Sequence, residues 1–117
     1  EKNQDKAMRT AEVFYQDIKA GILTETNEGH FVFQYDGQYV IEYPHQFLTF
    51  TMPVTKYPYH DKHLFSFFEG LIPEGWLLDV AKTHYKINPN DRMGLLMACC
   101  QNCIGAVSVK PLSTANE

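Results

Sequence analysis

The chain has 117 residues, 44% hydrophobic and 21% charged. That balance suits one globular domain and excludes a disordered chain or an enzyme of kinase or dehydrogenase size. The formal net charge is −4, with 10 Lys and Arg against 14 Asp and Glu, so no positive field marks a direct nucleic-acid binder. No apolar run approaches the ~18 residues of a membrane span, so no membrane partner is expected. Residues 1–10 are polar and do not read as a secretory signal.

Residues 1–8 are expected to be a disordered leader, 9–111 the folded unit and 112–117 a polar tail. Residues 11–15 are a short β-prone run. Gln16, Asp17, Ile18 and Lys19 read as a turn, and 20–25 as the returning strand. Thr26-Asn27-Glu28-Gly29 is a second turn, because Asn and Gly accept positive φ. Residues 30–35 alternate, with Phe31, Phe33 and Tyr35 on one face and His30, Val32 and Gln34 on the other. That is the period of a half-buried strand. A three-stranded antiparallel meander is predicted, ended by Asp36-Gly37. Residues 39–44 fit neither period. Residues 47–52 alternate again and predict a fourth strand stopped by Pro53, and 54–63 are rich in turn residues and predict a loop.

From Leu64 the pattern turns helical. Residues 64–71 are short and apolar, and Pro73 suits a first helical position. Leu77, Val80, Ala81, His84 and Tyr85 then fall on one helical face. Asn88 as cap, Pro89 after it and Asp91 in the first turn predict a further helix start, with 93–100 as a buried helix. Gly105 breaks it, and 106–110 predict a last strand with Val107 and Val109 on one face. The order predicts an α+β fold: an antiparallel sheet of four to five strands with two to three helices packed on one face.

The residues themselves offer no reactive centre. Cys100 and Cys103 have the spacing of half a zinc or redox site, but a structural zinc needs four ligands. Cys99, Cys100 and Cys103 are expected to pack in the core of a protein from a reducing cytoplasm. His60 and His63 flank Lys62 in a loop, where a nearby cation opposes metal binding, and His30 and His45 show no evident partner. Glu69 and Glu74 flank a Gly-Leu-Ile-Pro turn; Glu74 reads as a first-turn acid favoured by the helix dipole. No phosphate cradle or nucleophile elbow is present. No cofactor and no catalytic residue is expected. Tyr57, Pro58, Tyr59 and Trp76 are large groups at loop or helix-start positions, where such residues anchor partners or cap a core. Gly75 leaves the approach to Trp76 open.

Two longer signatures carry a resemblance. Phe67-Phe68-Glu69-Gly70-Leu71-Ile72-Pro73-Glu74-Gly75-Trp76 and Asn102-Cys103-Ile104-Gly105-Ala106-Val107 resemble the N-terminal subdomain of the HipA toxin kinase family. Gly21-Ile22-Leu23-Thr24, Phe33-x-Tyr35-Asp36-x-x-Tyr39, Leu48-Thr49-Phe50-Thr51-Met52-Pro53 and Asp91-Arg92-Met93-Gly94-Leu95-Leu96 agree in order. Cys100-Gln101-Asn102 departs from the more usual Gly-Arg-Asp, so no salt bridge is carried over for that Asp. The resemblance implies a non-catalytic piece that binds and modulates a HipA-type kinase core. It would be a separate HipS-like antitoxin or the structural N-terminal part of an active Ser/Thr kinase, with a HipB-like DNA-binding protein as a further partner. A small thiol or metal protein using Cys100 and Cys103 is the third reading. The expected partner-binding residues are Tyr57, Tyr59, Pro73, Glu74, Gly75 and Trp76, docking near the kinase's nucleotide cleft.

Overall fold

The structure is a computed structural model that describes residues 8–72, 90–100 and 106–112. Among the described residues five antiparallel strands form one sheet: β1 (Arg9–Tyr15), β2 (Ile18–Glu25), β3 (Phe31–Tyr35), β4 (Tyr59–Asp61) and β5 (Val107–Pro111). Their order across the sheet is β4-β3-β2-β1-β5. Among the described residues three helices accompany them: α1 (Gly37–Glu42), α2 (Ser66–Glu69) and α3 (Arg92–Cys99). None is long and apolar enough to cross a membrane.

The meander forms as its alternation requires. Phe31, Phe33 and Tyr35 are all buried, whereas Val32 is half-buried and Gln34 exposed. The register lines up one apolar face, pairing Ala11 with Leu23, Leu23 with Phe33, and Val13 with both Gly21 and Val109. Gly21 has a specific reason to be glycine. A Cβ there would run into the Gln34 carbonyl oxygen and lie 2.8 Å from Cζ of Phe33, so the Phe33 ring covers the β2 backbone directly.

The first turn is tighter than expected. Ile18 and Lys19 belong to β2, and only Gln16 and Asp17 make the bend, with φ of 50° and 69°. Paired left-handed residues match the twist of a two-residue hairpin. A register shift after Val13 then places Ala20 outside the pairing as a bulge.

Two expectations fail in the middle of the chain. Residues 47–52 are not a strand but a chain of bends and turns. The fourth strand is instead Tyr59–Asp61, inside the segment expected to be a loop, where it pairs with β3 through Phe33–Tyr59, Val32–His60 and Phe31–Asp61. Residues 37–42, which fit neither period, are helical because Asp36 caps them, accepting the backbone N–H groups of Gln38 and Tyr39 at 3.1 and 3.3 Å.

The helices close the inner face of the sheet. Phe68 of α2 sits 5.7 Å from the Phe33 ring, and Met93, Leu95 and Leu96 of α3 are fully buried in the same core. The start of α3 is also corrected: Asp91, not Asn88, is the cap, its side chain accepting the Gly94 N–H at 3.1 Å. Asn88, Pro89 and the helical face expected from Leu77 to Tyr85 lie outside the described residues.

Candidate partner-binding surface

The chain between α1 and β4 is irregular, yet it is held at several points by groups from regular elements. The Tyr35 hydroxyl, on β3, accepts the Leu48 backbone N–H at 3.1 Å and donates to the Met52 carbonyl. The Tyr39 hydroxyl, on α1, donates to the Gln46 carbonyl at 2.7 Å. The Tyr59 hydroxyl, on β4, donates to the Pro53 carbonyl at 2.6 Å. Leu48 and Met52 are buried. These hydroxyls supply partners that a strand neighbour would otherwise give to the backbone. Burial pushes the Tyr35 phenol up to about 12, against a smaller opposing effect of the Leu48 N–H. Burial also raises Tyr39 and Tyr59.

So anchored, the segment carries aromatic rings into solvent. Phe50 is 84% exposed, Tyr57 66% and Phe47 38%. The Phe47 and Phe50 ring centroids are 5.5 Å apart, and Ile41, on the adjoining helix α1, is 74% exposed. Tyr57 sits beneath the Lys56 ammonium, 5.4 Å from its ring centroid. Of the residues expected to bind a partner, Tyr57 is therefore presented outward. Tyr59 is half-buried and holds the segment in place. Pro73, Glu74, Gly75 and Trp76 lie outside the described residues. Phe47 and Phe50 were missed because their alternation reads as a strand. Pro44 and Pro53 lie outside that run and would only bound a strand, so nothing within it marked the turn.

The other candidate groups do different work. Cys100 is fully buried and Cys99 half-buried, with their sulfurs 3.2 Å apart. The Cys100 thiol lies 3.5 Å from the Leu71 carbonyl. Helix α3 ends at Cys99, and Cys103 lies outside the described residues. His30 approaches Glu28 at 3.7 Å, and with His60, Asp61 and Lys62 it lines an open cleft of about 420 Å³. Among the described residues no group of three His, Cys, Asp or Glu side chains could hold a metal ion. Glu69 meets Arg92 at 3.5 Å, linking α2 to α3.

The family profile of the HipA N-terminal domain matches residues 11–110. The chain belongs to the HipA N-terminal domain family. The matched part is the N-terminal domain of the toxin, which is not its catalytic part. A solved structure described as the N-terminal domain of HipA toxin superposes with a TM-score of 0.72 at 28% identity, covering 96% of this chain and 99% of that one. An uncharacterized protein of Haemophilus influenzae is 31% identical over 104 residues, which is 88% of this chain and 92% of that protein. The HipA-like signatures fall at structural joints. Phe33, Tyr35, Asp36 and Tyr39 run from β3 through the cap of α1, and Asp91 to Leu96 open α3. The Leu48-to-Pro53 signature is the anchored turn itself.

Proposed function

We propose that this chain is a non-catalytic subunit of a HipA-type toxin–antitoxin system that binds the kinase core and restrains it in the cytoplasm. The observation that carries this reading is the match of residues 11–110 to the N-terminal, non-catalytic domain of HipA. The outward aromatic ring of Tyr57 on an anchored segment supports it, since rigid aromatics lose little entropy on docking. Tyr57, with Pro73, Glu74, Gly75 and Trp76, forms the proposed contact near the nucleotide cleft, and Tyr59 supports it from within the segment. Docking there would hinder closure or substrate entry. A HipB-like DNA-binding protein would join the same complex.

A second reading is favoured by the likeness to a domain of the toxin itself: the chain would be a structural part that an active kinase needs. Co-expression with a HipA-type kinase core lacking its own N-terminal domain separates the two. A restraining subunit co-purifies with the core, relieves growth arrest and lowers phosphate transfer. A structural part co-purifies and raises it. Failure to co-purify overturns both.

A further inference from the structure

Cys99 and Cys100 are a nucleophilic pair that the proposed partner contact does not use. Adjacency alone does not bring their sulfurs together, because neighbours on a helix project about 100° apart and do not face each other. Helix α3 ends at Cys99, and Cys100 has already left the helical backbone, with φ −113° and ψ 14°. With that change of direction the two sulfurs lie 3.2 Å apart.

The two thiols differ in access. Cys99 is half-buried, with part of its surface open to small solutes, whereas Cys100 is fully buried. Such a pair offers one sulfur for attack and a second beside it to resolve the product. Cys100 is also tied to three neighbours. Its N–H donates to the Leu96 carbonyl at 3.0 Å, its carbonyl accepts the Val109 N–H of β5 at 2.8 Å, and its thiol reaches the Leu71 carbonyl at 3.5 Å. The end of α3, strand β5 and the chain after α2 therefore meet at this residue.

We infer that Cys99 and Cys100 are an oxidation site, which a hydroperoxide converts to a reversible disulfide between neighbours, loosening the join between α3 and the chain after α2. The Cys99 sulfur attacks one peroxide oxygen: an S–O bond forms, the O–O bond breaks, and the leaving oxygen takes up the thiol proton. The Cys100 sulfur then attacks Cys99: the S–S bond forms, the S–O bond breaks, and hydroxide leaves with the Cys100 proton as water. Two thiols lose two electrons and the peroxide gains them. Cys100 then has no proton to donate to Leu71. The bridge closes almost no loop, so it stabilises little through the unfolded chain. A trans peptide also holds neighbouring Cα atoms about 3.8 Å apart, inside the ~4.4 Å lower end for disulfides, so the bond is strained and easily reduced. Strain and the lost contact together make the oxidised form less stable.

The test treats the whole chain with hydrogen peroxide, unfolds it and alkylates the thiols that remain. The wild type has three Cys. It is expected to take one alkyl group instead of three, fragmentation of the peptide placing that group on Cys103, and dithiothreitol restores all three. Cys103→Ser is expected to form the same bridge. Cys99→Ser is expected to lose the bridge at the same dose, because the Cys100 that remains is buried. The midpoint of thermal unfolding of the oxidised wild type should fall by a few degrees and recover on reduction. A bridge that vanishes in a folded Cys103→Ser protein, or one that the wild-type map places on Cys103, would overturn the inference. So would oxygen added to Cys99 while Cys100 stays alkylatable. An oxidised protein as stable as the reduced one would overturn the loosening.

Discussion

Arg9 on β1 grips Asp91 at the start of α3 with two parallel bonds, 3.0 and 2.6 Å long, across 82 residues of sequence. The same guanidinium donates from Nε to Glu25, its cross-strand partner on β2, at 2.7 Å. Asp91 in turn caps α3 through the Gly94 N–H. One carboxylate thus fixes both where the helix begins and where it sits against the sheet. The hydrogen bond to Asp91 leads in raising the Arg9 pKa above its ordinary value, more than offsetting the opposing effect of burial.

That double role predicts a graded pair of variants. Asp91→Asn keeps an acceptor for the cap but loses the charge, whereas Asp91→Ala loses both. Both side chains are about one-third exposed, 35% for Arg9 and 33% for Asp91, so solvent screens the ionic part. Expected losses are about 1 kcal/mol for Asn and about 2 kcal/mol for Ala, read from urea unfolding. Equal losses in the two variants would show that the cap contributes nothing.

Gly21 and Gly37 make a second contrast. A Cβ at Gly21 collides with the Gln34 carbonyl and the Phe33 ring, while one at Gly37, in the first turn of α1, meets nothing within 4 Å. Gly21→Ala should cost about 1–3 kcal/mol by overpacking. Gly37→Ala should be neutral or stabilise by up to about 1 kcal/mol through lower entropy of the unfolded chain. Thermal unfolding of both variants checks the pair, and a Gly21→Ala protein as stable as wild type would refute the close approach.

The phenols predict alkaline sensitivity. Tyr35 ionises near 10 in the unfolded chain and is pushed to about 12 in the fold, chiefly by burial. Above pH ~10 the unfolded state loses this proton and the native state keeps it, so unfolding is favoured as pH rises. The contribution is complete below pH ~10 and is lost progressively up to about 12. Tyr39 and Tyr59, also raised by burial, act in the same direction. Urea midpoints between pH 9 and 12 should fall in wild type and fall less steeply in Tyr35→Phe. That variant should also lose about 1–3 kcal/mol at neutral pH, because the Leu48 N–H and Met52 carbonyl lose their shared partner. An identical pH slope in both proteins would contradict the assignment to Tyr35.

The meander and the last strand were legible because one buried face imposes strict alternation, as at Phe31, Phe33 and Tyr35 and at Val107 and Val109. The same rule misled at residues 47–52. Alternation would bury Leu48, Phe50 and Met52 together, but the turn buries only Leu48 and Met52 and turns Phe50 out. What decides between them is remote: hydroxyls of Tyr35, Tyr39 and Tyr59 satisfy the backbone that a strand would have paired. Strand β4 escaped notice for a related reason. Three residues between Pro58 and Lys62 carry no period of their own and take their shape from the edge of β3. Asp91 announced a helix start locally, but nothing near it pointed to Arg9. The Tyr57 position was legible as an exposed aromatic, and its support by Tyr59 was not.

The proposed contact gives the last prediction. Tyr57 is exposed and its removal should leave the fold intact, whereas Tyr59 holds Pro53 and its hydroxyl matters to the shape of the segment. Tyr57→Ala and Trp76→Ala are therefore expected to weaken binding to a HipA-type kinase core about tenfold or more each, with Tyr57→Ala unchanged in thermal stability. Tyr59→Phe is expected to lower stability by about 1 kcal/mol and to affect binding only through that loss of shape. Calorimetric titration with the core, alongside unfolding curves for each variant, separates contact from support. Unaltered affinity in both Tyr57→Ala and Trp76→Ala would remove this face from the interface.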